Sequence, residues 1–350
     1  MLDKFYNLFS RDIGIDLGTA TILVYVAGKG IVINEPSVVA VNKKTNQVVA
    51  IGSEAKKMAG RTPAYISVIR PLVEGVISDF EITEEMLGYF IRKVHQDTWQ
   101  ALARPKVVVG VPSGITNVEI RAVRDAAKNA GAREVHIVEE PIAAAIGVRL
   151  PIYDPVGNII IDIGGGTTDI AVISLGGIVI SKNMRIAGDK FDQDIIDYMR
   201  DEFKILIGEK TAEDIKIAIG SVSKTGEGLE TVVRGRDLVS GLPREVVVTD
   251  TDIREAIIKS VRSLVRATRE VIEDTPPELI SDIMHRGIMM VGGGSFLRNL
   301  AAVFGSEIKV PVHIPDDPLT AVVRGTGIII ENLEKYKDIL IQHDDELPPK

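Results

Sequence analysis

From Asp12 onward the apolar positions come in short runs separated by tight turns: "IGIDLG", "TILVYVA", "GIVINE", "SVVAVN" and "QVVAIG". Runs of that length and composition predict a meandering sheet. The spacing then changes. In "ITEEMLGYFIRKVHQ", Met86, Leu87, Phe90, Ile91 and Val94 share one face at helical period, with Thr83 near the start. "KVVVGVP" is a continuous apolar run of the kind a central strand shows, and "NVEIRAVRDAAKNAGA" is a helix stopped by Gly131. Beyond it the pattern predicts a helix pair, Phe191 to Leu206 and Thr211 to Ile219, then a polar loop "SKTGEGLE". A long helix from Asp252 to Asp274 ends before Pro276 and Pro277. "RGIMMVGGGSFLRNL" predicts a strand, a triple-glycine turn and a helix opened by Ser295.

One pattern occurs twice. "IGIDLGTATILVYV" and "IIIDIGGGTTDIAVI" both run from an apolar strand to an aspartate, a Gly/Thr turn and a second apolar strand. Asp16 and Asp162 stand 146 residues apart. That distance predicts two related α/β domains rather than a solenoid, whose period is about 20 to 50 residues. Two equivalent polar turns then face each other across one cleft. The length of 350 residues also predicts about two domains.

Charge and composition narrow the chemistry. With 41 Lys and Arg against 49 Asp and Glu, the net charge of -8 leaves no broad cationic surface for nucleic-acid phosphates. No cysteine and only 5 histidines argue against a disulfide framework, a thiolate nucleophile and a zinc site, and point to the cytosol. No uncharged run exceeds 12 residues, short of the roughly 20 that span a bilayer. The first residues also lack the pattern of a secretory signal.

Glycine turns between strands let backbone N–H groups reach a phosphate without side-chain obstruction. Thr19 and Thr167 add hydroxyl donors, whereas Asp16 and Asp162 would repel a bare triphosphate. Carboxylates beside phosphates imply a cation, and Mg²⁺ keeps several waters, so these aspartates are expected to orient coordinated water. Hydrolysis needs a group that orients water in line with the terminal phosphate. Glu140, after the apolar run "VHIV" and before Pro141, sits near a predicted helix N-terminus and is the candidate; the alternative is that Glu139 and Glu140 only favour the helix dipole. Glu213 and Lys216 share a predicted helix face and either reach a ribose or base edge or form a surface ion pair.

These motifs resemble those of the actin and heat-shock-chaperone ATPase superfamily. "GIDLGTA", "GIVINEPSVVAV", "GRTP", "IRPLVEGVISDFE", "GVPSGIT", "EEPIAAAIG", "IAGDKFD", "RDLVSGLPRE", "TPPELISDI" and "DDPLTAVVRGTG" extend the resemblance, from about Asp12 to about Leu333, to the MreB/Mbl family of bacterial actin-like rod-shape proteins. The resemblance implies an α/β, two-lobed actin-like ATPase fold of duplicated RNase H-like subdomains with smaller inserts. Subdomain IA would take residues 1–38, 78–150 and 318–350, IB 39–77, IIA 151–186 and 248–317, and IIB 187–247. ATP or ADP with Mg²⁺ would lie between the lobes. Asp16, Gly18, Thr19, Ala20 and Thr21 would form one phosphate turn, and Asp162, Gly164, Gly165, Gly166 and Thr167 the other, with Gly188 beside them. Glu140 and Thr167 would be catalytic, and Gly292, Gly293, Gly294 and Ser295 would hold adenosine with Glu213 and Lys216. The family polymerises into paired filaments under the cytoplasmic membrane and organises side-wall peptidoglycan synthesis with morphogenetic membrane proteins. Three positions depart from its usual pattern: Thr21 stands where Asn is usual, and Asp169 and Ala218 where Glu is frequent.

Two rivals share the superfamily. A sugar kinase would need an Asp base and a sugar pocket, and a chaperone-type regulatory ATPase would need a peptide-binding domain for which the chain leaves no room. A last pattern concerns membranes. Leu2, Phe5, Tyr6 and Phe9 fall on one face at helical spacing, and Trp99 with Leu102 lies in a predicted loop, so both segments are expected to insert in a membrane interface; the alternatives are a frayed terminus for the first and local core packing of Trp99 for the second.

Overall fold

The computed structural model describes residues 10–96, 104–224, 226 and 228–341. The expected meander divides into two sheets. Strands β1 (Ile13–Leu17), β2 (Thr21–Val26) and β3 (Gly30–Pro36) form consecutive antiparallel pairs. Pro36 lacks the N–H that would continue the ladder, and Ser37 N closes onto Ala20 O at 3.0 Å. The chain then leaves for a second sheet. There β4 (Val39–Asn42) pairs with β5 (Gln47–Ile51), helix α1 (Ser53–Met58) follows, and β6 (Ile66–Ile69) closes the order β5-β4-β6. A short hairpin of β7 (Leu72–Val73) and β8 (Val76–Ile77) leads to α2 (Phe80–Val94), capped by Asp79, whose side chain accepts from Ile82 N. Next come β9 (Lys106–Val111), α3 (Asn117–Asn129) with a Thr116/Glu119 capping box, β10 (Glu134–Glu139) and α4 (Glu140–Gly147). The first large sheet has the order β10-β9-β1-β2-β3.

The second half repeats this plan. β11 (Asn158–Ile163), β12 (Thr168–Ser174) and β13 (Gly177–Met184) form the antiparallel trio. Helix α5 (Gly188–Asp201) is followed by the short strand β14 (Ile205–Leu206), so the first helix of the expected pair is shorter than its apolar spacing predicts; Lys204 turns the chain at φ 54°. Helix α6 (Glu209–Ile219) precedes β15 (Glu230–Asp237) and β16 (Pro243–Thr249), which complete a small sheet with β14. Helix α7 (Asp250–Glu273) opens on a Thr249/Asp252 capping box and α8 (Pro277–Arg286) follows the proline pair. The chain then runs through β17 (Ile288–Val291), α9 (Leu300–Ile308), β18 (Val312–His313) and α10 (Ala321–Glu331). The second large sheet has the order β13-β12-β11-β17-β18, the same sequence of antiparallel and parallel neighbours as the first.

Both large sheets are buried on two faces, which explains their nearly continuous apolar strands. Val107 and Val109 point to one core and Val108 to another; Ile159 and Ile161 likewise diverge from Ile160. Helices α4 and α10 fill the layer between the sheets, with Ile142, Ile146, Val322 and Ile329 packed against Val108, Val138, Ile160 and Ala171. They pass backbone to backbone: a Cβ on Gly147 or Gly325 would strike the carbonyl of Ala321 or Ala143. The strand period of two then puts Asp16 and Asp162 on the inner faces, since Ile15, Leu17, Ile161 and Ile163 all point outward.

Candidate functional site

Between those inner faces lies a cleft of about 570 Å³. Its floor is made by the two turns, residues 18–21 and 164–167, and they touch. A Cβ on Gly166 would sit 2.6 Å from Thr19 Oγ1, and one on Gly165 would overlap Ala20. Only glycine permits that approach. The carbonyls of Gly164 and Gly165 accept from Gly188 N (3.2 Å) and Asp189 N (2.8 Å) at the start of α5. In a trans peptide the next N–H points the opposite way, so the amides of Gly165 and Gly166 point away from the carbonyl bonds to α5. Thr19 Oγ1 accepts from Gly75 N at 3.0 Å, which brings the β7–β8 turn onto the same floor. Asp16, Gly18, Thr19, Ala20, Thr21, Asp162, Gly164, Gly165, Gly166, Thr167 and Gly188 all line the cleft.

Acid groups dominate the inner end. Asp16, Asp162, Glu140 and Asp169 line one space, and Glu140, in the first turn of α4 with Pro141 behind it, is 9% exposed. Burial pushes the Asp16 carboxyl up to about 7. Burial, and then the negative charges of Asp16, Asp169 and Asp162, hold Glu140 well above the usual carboxylate range. Asp162 is raised by burial and by Asp16 and Asp169. The nearby cation is already engaged, since Lys216 Nζ pairs with Asp192 at 2.8 Å and donates to Gly188 O at 2.9 Å. Among the described residues no group of three or more His, Asp or Glu side chains converges to hold a metal. A divalent cation therefore fits here only with water and phosphate oxygens completing its shell, held through Asp16 and Asp162.

The outer end is more apolar. Glu213, Lys216, Ile217 and Gly220 of the α6 region face Gly292, Gly293 and Gly294, with Phe296, Leu297 and Leu319 beside them. Glu213 and Lys216 do not pair with each other. Glu213 reaches across the cleft mouth to Lys56 of α1 at 2.8 Å, while Lys216 turns inward to Asp192. Arg70 bridges to Asp189 and Glu209, both at 3.1 Å, and Arg185 to Glu74 at 3.0 Å. Ser295 differs from its expected place. It is buried, its hydroxyl donates to Gly292 O at 2.7 Å, and it belongs to a 3₁₀ turn, Gly293–Phe296, with the α-helix opening only at Leu300. It braces the glycine turn instead of lining the cleft.

Sequence reasoning missed several lining residues, among them Gly75, Asp169, Asp189, Asp192, Phe296 and Leu319. Asp169 alone carried a legible signal: a carboxylate inside an otherwise apolar strand. The predicted membrane residues Leu2, Phe5, Tyr6, Phe9, Trp99 and Leu102 lie outside the described residues. Their described flanks meet, since Ser10 Oγ donates to Arg104 O at 3.2 Å and Arg11 N to His95 Nε2 at 3.1 Å. No helix among the described residues is long and apolar enough to cross a membrane.

Comparison with known proteins agrees with this architecture. A family model described as MreB/Mbl protein matches residues 10–338. The chain is 49% identical over 328 residues to the cell shape-determining protein Mbl of Bacillus subtilis (strain 168), covering 94% of this chain and 98% of that protein. It is 48% identical over 340 residues to the cell shape-determining protein MreB of Escherichia coli (strain K12), covering 96% and 98%. Among solved structures, MreB5 of Spiroplasma citri bound to ADP superposes with a TM-score of 0.89 at 41% identity, covering 94% of this chain and 98% of that one. The same protein bound to AMPPNP gives the same values. A MamK double helical filament shares the fold, at a TM-score of 0.78 and 22% identity over 92% of this chain and 99% of that one. The duplicated sheets, the paired glycine turns and these matches make one assignment: the chain belongs to the MreB/Mbl family of actin-like, cell shape-determining proteins.

Proposed function

We propose that this protein is an ATP-dependent, filament-forming ATPase that assembles on the inner face of the cytoplasmic membrane. There it organises side-wall peptidoglycan synthesis and maintains rod shape. The observation that carries the reading is the pair of touching glycine turns above a buried acid cluster, and the related MreB5 of Spiroplasma citri was solved bound to ADP and to AMPPNP. The turn amides and the hydroxyls of Thr19 and Thr167 bind phosphate oxygens, and the outer end, with Glu213, Lys216 and Gly292 to Gly294, takes the nucleoside. Mg²⁺, when bound, offsets the charge of phosphates and acids together. Asp16 and Asp162 orient its waters. Glu140 aligns the attacking water from the first turn of α4, where burial and the neighbouring carboxylates hold its proton affinity above the usual carboxylate range. Thr167 assists from the facing turn.

Partners follow from the same reading. A second copy of the chain extends the filament, and membrane proteins of the elongation machinery bind it. Because Ser10 and Arg104 meet, the two predicted insertion segments enter the described chain side by side, as a single attachment face requires. Electron microscopy of purified protein with MgATP, with and without lipid vesicles, tests the whole. Filaments in solution that also coat vesicles are expected, with vesicle binding lost and polymerisation kept after deletion of residues 1–9. Absence of filaments with every nucleotide, or transfer of phosphate to a hexose, would overturn the proposal.

A further inference from the structure

Asp169 is 1% exposed and belongs to β12 in the second half, yet its main partner belongs to the first. Its Oδ1 accepts from Ser113 N at 2.9 Å and from Ser113 Oγ at 2.5 Å; its Oδ2 accepts from Asn183 Nδ2 at 2.9 Å. Ser113 is itself 2% exposed and lies two residues beyond the end of β9. Two hydrogen bonds from one residue to one carboxylate oxygen, both out of water, make a stiff contact between the halves. The next residue continues the chain of contacts. The Gly114 N–H lies beside the carboxylate of Glu139, which immediately precedes Glu140, and favours its charged form. Glu140 also rests against β9, since a Cβ on Gly110 would sit 3.4 Å from Glu140 Cγ. The Ser113–Gly114 loop is thus gripped on one side by the glycine-turn hairpin of the second half. On the other it holds the strand end that carries the water-aligning acid.

We infer that Asp169 and Ser113 form a positioning pair which sets the distance between Glu140 and the 164–167 turn, and so governs hydrolysis without governing nucleotide affinity. Neither residue donates to the phosphates in this account; both act through Glu140. The inference rests on the proposed ATPase reading. Ser113→Ala removes one hydroxyl and leaves the backbone N–H bond to Asp169, so the variant is expected to keep its fold.

The test compares Ser113→Ala, Asp169→Asn and Glu140→Ala, singly and in the double variant Ser113→Ala/Glu140→Ala. Fluorescent-nucleotide titration gives Kd, and single-turnover phosphate release gives the chemical step. Ser113→Ala is expected to keep Kd within about threefold and to slow release by about tenfold, less than the roughly hundredfold that a 1 Å misplacement can cost. In the Glu140→Ala background the same change should have no further effect, because residues that act as a unit are not additive. A purely structural role would instead lower release by the same factor in both backgrounds, or weaken Kd and release together, and either result overturns the inference. Asp169→Asn keeps an acceptor for Ser113 and should slow release less than Ser113→Ala relative to its effect on thermal stability; the reverse order also overturns it. If Glu140→Ala itself leaves release unchanged, the ATPase reading fails. If Glu140→Ala slows release and Ser113→Ala does not, only the positioning pair fails.

Discussion

Asp16 faces Leu23 across the first glycine-turn hairpin, and Asp162 faces Asp169 across the second. The two hairpins otherwise coincide: in each, four residues separate the last paired positions, Leu17 from Ile22 and Ile163 from Thr168, and each first strand also pairs with a parallel neighbour. The backbone plan is shared and the difference lies in side chains. Leu23, 1% exposed, adds apolar bulk beside the cleft, whereas Asp169 turns the same register position into a bond to the opposite half. Duplication thus supplies two equivalent phosphate-sized turns, and a single exchanged side chain makes one of them a tie. A second asymmetry reinforces the first. β10 runs straight into α4 and delivers Glu140 to the cleft, while β18 ends at His313 and reaches the cleft only through Pro318 and Leu319 ahead of α10.

Exchanging the distinguishing side chains should break the comparison most severely. Leu23→Asp places a fifth carboxylate among Asp16, Asp162, Glu140 and Asp169 with no donor arranged for it, and is expected to cost about 3 to 5 kcal/mol. The reciprocal Asp169→Leu strands the donors of Ser113 and Asn183 and should cost about 1 to 3 kcal/mol. Chemical denaturation of both variants decides; equal costs would mean that the two register positions are equivalent after all. Next in size, Glu140→Ala should retain nucleotide while slowing phosphate release by roughly a hundredfold, about 3 kcal/mol on the barrier. Wild-type release from the variant would remove Glu140 from the chemistry.

Charge reversal compares the turns themselves. Asp162→Lys and Asp16→Lys each put a cation where the metal's waters belong, so the stabilisation by MgATP, about 2.7 kcal/mol at a hundredfold excess over Kd, should largely vanish in both. Thermal melting with MgATP against EDTA reads this out, and an unchanged shift in either variant would show that its turn does not carry the metal. The smallest effect is that of pH. Burial raises Asp16 from 3.8 to about 7 in the folded chain, so the fold holds this proton more tightly than the unfolded state does. That contribution is complete below the unfolded value and is lost as pH rises through about 7, at up to about 1.4 kcal/mol per pH unit. Nucleotide-free protein should therefore lose stability between about pH 5 and 7, and MgATP should flatten the slope. A nucleotide-free stability that rises over that window would contradict the buried-acid account.

Much of this molecule is written locally. The repeat of apolar strand, aspartate and Gly/Thr turn predicted two related halves, and the shared strand order bears it out, because a strand buried on both faces leaves an uninterrupted apolar run that survives without knowledge of its neighbours. The helix expected near Thr83 was legible from its period, though it opens earlier, at Phe80 behind its cap Asp79, and the long helix expected from Asp252 to Asp274 runs Asp250–Glu273. The single meander was not, since strands that belong to different sheets have the same local pattern and only pairing tells them apart; the register break at Pro36 and Ser37 decides it. Ser295 illustrates the same limit at the site. A serine after three glycines resembles a helix cap, but whether its hydroxyl faces a ligand or its own turn depends on the backbone around Gly292. The ion pairs of Glu213 and Lys216, each with a partner distant in sequence, and the bond from Asp169 to Ser113 belong wholly to tertiary structure. Residue type and spacing determine which chemistry a turn can offer, because backbone freedom and side-chain charge are local. Which side chains meet across a cleft is decided by the packing of two sheets around α4 and α10, and no local pattern encodes that distance.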